Sequence, residues 1–332
     1  MERKMRRKGT YIVTGGAGFI GSCLIRMLND NGIDDVIIVD HIASTAKWKN
    51  LQNKKYREYV HKNNFIEYLL QGKYGIISAI IHMGACSATT EMDCDYLWDN
   101  NVEYTKRLWK YCYHKQIPFI YASSAATYGN GDNGFSDQTD KIDSLRPLNA
   151  YGFSKQVFDQ WVVKQDEKPP QYVGLKFFNV YGPNEYCKGN MASIVFHGYC
   201  QLIETGKIRL FRSENNNYAN GGQERDFVYV KDVCKVIMFF LDHPEYSGIF
   251  NVGTGKAQTF FKLASAVFHA LNKTENIEFF DMPKEIRQNY QYHTEADISS
   301  LKSMGYLEEF FDVEQGVGDY VQNYLDRGFV VY

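Results

Sequence analysis

The chain has no hydrophobic run of the roughly 18 to 20 residues that a membrane helix needs, and so gives no reason to expect a membrane partner. It has no Cys-x-x-Cys pair. Its cysteines, Cys23, Cys86, Cys94, Cys112, Cys187, Cys200 and Cys234, are scattered, with no Cys/His cluster at metal spacing. Reduced thiols and no metal are expected. An excess of charge of either sign is also missing: the formal net charge of −2 argues against a general polyanion binder, and so against a nucleic-acid partner. Local basic pockets for phosphates remain open to it. The basic start, Met1 to Lys8, leads into a short strand rather than a signal-peptide core, so a solvated tail and a cytoplasmic protein are expected. What is present is bulk, since 332 residues with 44% hydrophobic content can bury a large core and suggest two lobes.

Apolar runs alternate with helical patterns. Thr10 to Thr14, Val36 to Asp40, Ile76 to Ile81, Ile117 to Ser123 and Val173 to Phe178 read as buried strands, and Phe19 to Asn31 and Asp99 to Lys115 as crossover helices. The pattern predicts an α/β fold with a doubly wound parallel sheet of the Rossmann type. After Asn179 the texture changes, with an Asn/Gly-rich loop over Glu214 to Gln223 and an isolated strand-like Arg225 to Val230. A second, smaller α/β substrate domain is expected there. Ile249 to Val252 has the buried look of the first sheet, which makes both domains discontinuous: 9–178 with 230–270, and 179–229 with 271–328.

The first strand runs into Thr14-Gly15-Gly16-Ala17-Gly18-Phe19-Ile20-Gly21, a G-x-G-x-x-G match between a strand and an amphipathic helix. Glycines there allow a tight turn and close backbone approach, leaving amides and a helix amino terminus to face a pyrophosphate. Asp40 ends the second strand about 20 residues on, the usual distance for an acid that hydrogen-bonds a ribose 2′-hydroxyl and favours NAD. Lys47 and Lys62 could instead meet a 2′-phosphate, so the residues leave NAD and NADP open and slightly favour NAD. The run His82-Met83-Gly84-Ala85-Cys86-Ser87 has small residues that permit backbone approach to a cofactor, although an ordinary strand-to-helix turn reads the same way. Asn100 either supports that strand end through its amide or caps a helix.

Tyr151 and Lys155 stand one helical turn apart in Asn149-Ala150-Tyr151-Gly152-Phe153-Ser154-Lys155, which puts both on one face. A phenol titrates near ~10, and an adjacent ammonium lowers that value, so the pair reads as a tuned acid/base. Tyr111 and Lys115 have the same spacing. They precede a strand, however, whereas Tyr151 follows the Ser123-Ser124 strand end, where open α/β sheets bind ligands.

Gly15/Gly18/Gly21, Ser124 and Tyr151/Lys155 together resemble the extended short-chain dehydrogenase/reductase superfamily. That resemblance makes Tyr151 the proton donor and acceptor, Ser124 the hydrogen bond to the reacting oxygen, and Lys155 the ribose anchor. More specific runs, Met83 to Glu91, Phe178 to Pro183, Lys188-Gly189-Asn190-Met191-Ala192-Ser193, Arg225 to Val230 and Asn251 to Gly255, resemble the ADP-glyceromanno-heptose 6-epimerase family from about Thr10 to Tyr324. That resemblance implies NADP, an ADP-heptose substrate inverted at C6″ through a ketone, a role in making lipopolysaccharide heptose, and a homo-oligomer, a pentamer. Lys188 becomes a second proton handler opposite Tyr151.

The resemblance also carries cofactor contacts to Phe19, Ile20, His41, Lys47, Lys62, Met83, Gly84, Ala85, Cys86, Ser87, Asn100, Val180 and Lys188. It carries sugar-nucleotide contacts to Asn179, Asn190, His197, Phe211, Arg212, Ser213, Glu214, Arg225 and Tyr290. A guanidinium at Arg225 suits a diphosphate. Three positions depart from the family: Asn190 for serine, His41 for asparagine, and a longer loop over 214–223. The rival expectations are a UDP-sugar 4-epimerase or 4,6-dehydratase, and a non-enzymatic dinucleotide sensor.

Overall fold

The computed structural model describes residues 9–283, 287 and 290–332, so the basic segment 1–8 lies outside the described residues. Five strands of near-continuous Val, Ile, Tyr and Phe are buried on both faces, which only a sheet sandwiched by helices permits. They are β1 (Thr10–Thr14), β2 (Val36–Asp40), β4 (Ile77–His82), β5 (Phe119–Ser124) and β6 (Tyr172–Phe177). β3 (Glu58–His61) and β11 (Gly248–Val252) complete a seven-stranded, all-parallel sheet in the order β11-β6-β5-β4-β1-β2-β3. The sequence reading missed β3 because it is an edge strand in which only Val60 is buried.

Alternate residues of each strand feed separate cores. Tyr11, Val13, Val36 and Ile38 pack on the side of α1 (Phe19–Asp30) and α7 (Val230–Asp242). Ile12, Ile37 and Val39 pack on the side of α2 (Lys62–Leu70), α4 (Tyr104–Lys115) and α5 (Ala150–Val163). Helix α4 is reached through a short α3 (Cys94–Leu97) and a π-helical turn over Trp98–Glu103. The chain order reverses between β1 and β4, and a crevice at such a reversal is where open sheets take ligands.

Beyond β6 the chain builds smaller pairs. β7 (Asn179–Tyr181) runs parallel to β10 (Phe227–Tyr229), and β8 (Ile208–Phe211) parallel to β13 (Ile277–Phe280). β9 (Glu224–Arg225) is antiparallel to β12 (Gln258–Thr259), so the single strand expected over Arg225 to Val230 is in fact two. Helix α6 (Ile194–Thr205) follows the loop that carries Lys188. The last residues fold back onto that loop. The Phe329 ring lies 5.8 Å from Tyr186, the Tyr186 hydroxyl donates to the Val330 carbonyl at 2.8 Å, and the Tyr332 amide donates to Asn184 Oδ1 at 2.9 Å. Among the described residues no helix is long and apolar enough to cross a membrane.

Candidate active site

The carboxyl ends of β1, β2, β4 and β5 open into one cavity of about 560 Å³, to which they contribute Thr14, Asp40, His82 and Ser124. Its floor is the glycine turn. Gly15 has φ +66°, and a Cβ there would stand 2.6 Å from the Gly84 amide nitrogen. A Cβ on Gly21 would stand 2.2 Å from the Gly15 carbonyl oxygen. Backbone replaces side chain throughout this crossing. Helix α1 starts at Gly18 without a side-chain cap, so its first amides, on Phe19, Ile20 and Gly21 along the cavity wall, lack the usual acceptor. Such a terminus fits a dinucleotide pyrophosphate.

Beside it, Asp40 is 7% exposed and already engaged. Its Oδ2 accepts from the Ala17 amide at 2.9 Å, and its Oδ1 from the His41 amide at 2.7 Å and from Lys47 Nζ at 2.8 Å. Lys62 Nζ donates to Asn100 Oδ1 at 2.6 Å. Asp40, His41, Lys47, Lys62 and Asn100 all line the cavity. The cradle is therefore acidic but locally neutralised by lysine.

The β4 end is fixed by a chain of hydrogen bonds with one consistent direction. The Gly84 amide donates to Thr14 Oγ1 (3.2 Å), leaving that hydroxyl to donate to His82 Nδ1 (2.6 Å). His82 Nε2–H then donates to Thr105 Oγ1 (2.9 Å), and Thr105 to the Asn101 carbonyl (2.7 Å). Burial pushes His82 down to about 3, so the ring is neutral, as this pattern needs. Met83, Gly84, Ala85, Cys86 and Ser87 follow along the cavity. Their support comes from Asn101, which accepts from the Cys86 amide at 2.8 Å and donates to the Cys86 carbonyl and to Ser154 Oγ, each at 3.0 Å. Of the two roles left open for Asn100, its amide reaches that support only through Asn101, donating to Asn101 Oδ1 at 3.0 Å, while its own oxygen accepts from Lys62.

Tyr151, Ser124 and Lys155 meet on the opposite side of the strand ends. The helix α5 that carries Tyr151 and Lys155 is N-capped by Asn149, whose side chain accepts from the Gly152 amide at 2.8 Å. Ser124 hydrogen-bonds Tyr151, and Lys155 Nζ donates to the Ala122 carbonyl at 2.8 Å. The expected tuning is corrected here. Burial raises Tyr151 above its ordinary value, Ser124 opposes that rise, and nearby Cys86 and Asp159 add to it. Lys155 is instead the group brought down, to about 8, by burial. At neutral pH Tyr151 is a protonated phenol. Val180 and Lys188 line the same cavity from the following segment, with Lys188 Nζ 5.1 Å from the Phe19 ring centroid. Burial lowers the Lys188 ammonium, and Glu185 partly restores it.

The family described as NAD dependent epimerase/dehydratase matches residues 11–253. The chain belongs to that family. It is accordingly an enzyme, an isomerase, and it is similar to proteins named ADP-L-glycero-D-manno-heptose-6-epimerase. That of Fusobacterium nucleatum is 50% identical, with 95% of this chain and 98% of the relative covered. That of Nitratidesulfovibrio vulgaris strain Hildenborough is 48% identical, again with 95% and 98% covered. A solved structure from Helicobacter pylori with the same name is 27% identical, has a TM-score of 0.80, and covers 95% of this chain and 96% of that one.

Every expected cofactor and proton-transfer residue of this epimerase lines the one cavity, whereas the expected sugar-nucleotide residues lie outside its lining. Asn190 is exposed on a short turn, Asn179 is exposed on β7, and His197 is half-buried on α6. Phe211 packs edge-on to Tyr290 at 6.2 Å. Arg225 is 6% exposed, with its guanidinium 5.4 Å from the Tyr290 ring and donating to the Glu224 and Gln291 carbonyls. Arg212 pairs with Asp281, Glu214 with Arg287, and the Ser213 hydroxyl donates to the Asn215 carbonyl. Phe211, Arg225 and Tyr290 thus meet one another beyond the cavity. Sequence reading passed over Asn50, buried between the Ala17 and Asn184 carbonyls, and Glu185, beneath Lys188. No motif marks a lone buried polar residue in a short helical turn or a loop, so neither had a signal. Among the described residues no group of three or more His, Cys, Asp or Glu is placed to hold a metal.

Proposed function

We propose that this chain is an NADP-dependent epimerase that inverts C6″ of ADP-D-glycero-β-D-manno-heptose to give ADP-L-glycero-β-D-manno-heptose, a precursor of lipopolysaccharide core heptose. The observation that supports this reading is that a phenol and an ammonium, Tyr151 from α5 and Lys188 from the loop after β7, line one cavity with the glycine cradle. A bound dinucleotide supplies hydride removal and return, taking the C6″ carbinol to a ketone and back. The residues do the rest. Ser124 hydrogen-bonds the reacting oxygen, Tyr151 handles its proton for one stereochemical direction, and Lys188 handles it for the other. Lys155 holds the nicotinamide ribose. The 2′-phosphate of NADP suits Lys47 and Lys62, because Asp40 already spends one oxygen on Lys47 and the His41 amide.

The segments 179–229 and 271–328 make the sugar-nucleotide lobe in this reading, with Arg225 and Tyr290 at the nucleotide, and the protein works as a cytoplasmic homo-oligomer, a pentamer. The rival 4,6-dehydratase chemistry calls for acidic groups just after the catalytic serine, where Ala125 and Ala126 stand. A sensor that has lost catalysis has no reason to keep Ser124, Tyr151 and Lys155 together. Purified enzyme is expected to convert the ADP-heptose and not UDP-glucose, to release NADP by mass, and to leave C6″ free of deuterium when run in heavy water. Turnover of UDP-glucose without ADP-heptose, or deuterium at C6″, contradicts the proposal.

A further inference from the structure

Glu185 is a carboxylate at 0% exposure, three residues before Lys188. Taking such a charge out of water costs several kcal/mol unless hydrogen bonds replace the lost solvent. Here they come from both ends of one loop. Glu185 Oε1 accepts from the Gly182 amide at 3.3 Å and from Ser193 Oγ at 2.7 Å, while Oε2 accepts from the Ser193 amide at 2.6 Å. Gly182 follows β7, and Ser193 is the N-cap of α6, where the helix terminus favours an anion. Ser193 Oγ also accepts from the Phe196 amide at 3.2 Å, which directs its own hydrogen to Glu185. Among the described residues no Lys or Arg nitrogen forms an ion pair with this carboxylate, so backbone and hydroxyl dipoles hold it. Lys188 stands between the two tied ends, and its amide donates to the Glu185 carbonyl at 2.9 Å.

We infer that Glu185 is the positioning residue for Lys188: its carboxylate cinches the loop from Gly182 to Ser193 and so aims the lysine into the cavity. The Tyr320 hydroxyl also faces the carboxylate, and of the three donors bonded to it the Gly182 and Ser193 amides cannot accept. An amide in its place turns an N–H₂ onto one of them and opens one arm of the clamp while keeping the side-chain volume. The inference rests on the reading of Lys188 as the second proton handler.

The test compares Glu185→Gln, Ser193→Ala, Ser193→Thr and Lys188→Met in the full-length enzyme with ADP-heptose. Misplacing a reacting group by ~1 Å costs up to ~100-fold, so Glu185→Gln is expected to lower kcat by about tenfold to a hundredfold. KM should stay within about twofold and the bound cofactor content should not change. Ser193→Ala, which loses the hydroxyl bond but keeps both backbone amides of the clamp, should show a smaller loss of the same kind, and Ser193→Thr should restore most of it. That serine pair carries the test if Glu185→Gln fails to fold. A kcat in Glu185→Gln within about twofold of wild type overturns the inference, as does a loss that comes only with lost cofactor or raised KM. An active Lys188→Met removes the reading underneath it; an inactive Lys188→Met beside an unaffected Glu185→Gln removes the role of Glu185 alone.

Discussion

Tyr151 and Lys155 sit one turn apart on α5 and both contact the same strand, yet burial acts on them with opposite signs. It favours the neutral form of each, raising the phenol and lowering the ammonium. For Lys155 this has a pH signature. Its folded value of about 8 lies below the unfolded ~10.4, so the unfolded chain binds more protons between those limits and stability rises with pH across that window. Relative to Lys155→Met, wild type should gain about 3 kcal/mol between pH 7 and pH 10.5, read from urea unfolding of both proteins at each pH. A flat difference would mean that the lysine is solvated.

At the scale of elements, the turn beside β5 depends on a buried ion pair. Lys176 on β6 and Asp159 on α5 are both fully buried, 2.7 Å apart. Asp159 also accepts from Tyr121 and Ser123, and Lys176 donates to Thr127. Asp159 lies two turns beyond Tyr151, so the pair pins the catalytic face of α5 against the sheet. Asp159→Asn leaves Lys176 without its counter-charge and is expected to lower unfolding free energy by about 3 to 5 kcal/mol. Combining it with Lys176→Met should cost less than the sum of the single changes, which a double-mutant cycle measures. Such pairs explain what was legible in the sequence. Strands β1 and β2 were readable to the residue because uninterrupted apolar runs have one use, and the glycine turn because its spacing is dictated by a helix terminus. Asn101 was not, since nothing in the run Asp99-Asn100-Asn101 tells which of two adjacent amides reaches the Cys86 backbone. The tuning of Tyr151 was misread because spacing places Lys155 nearby without showing how deeply the phenol is buried, and burial is what raises it.

In the molecule as a whole, the reversal of strand order between β1 and β4 puts the glycine turn, the His82 strand end and the Tyr151 helix around one crevice. The second half of the chain then brings Lys188 to it and closes over the loop with the stretch Phe329 to Tyr332. The Lys54 ammonium, brought down to about 8 by burial, donates to the Tyr332 carbonyl at 2.6 Å. Ending the chain after Gly328 removes these contacts. Hydrogen exchange at Asn184 to Lys188 is then expected to rise by about tenfold or more while the β1 and β4 amides keep their protection. Equal loss at both places would mean that the final residues stabilise the whole fold rather than this loop.

The directed chain through His82 has a further use. Each donor in it is set by the one before, so the imidazole is held as a single tautomer with the proton on Nε2 and without charge at any pH well above 3. Its two ring nitrogens should therefore give widely separated ¹⁵N resonances that do not move between pH 5 and 9, unlike those of an exposed histidine. Because Thr14 on β1 pairs with His82 on β4 across the sheet reversal, parting these strand ends breaks the Nδ1 bond. The ring is a built-in spectroscopic gauge of that crevice, legible without a label and independent of turnover.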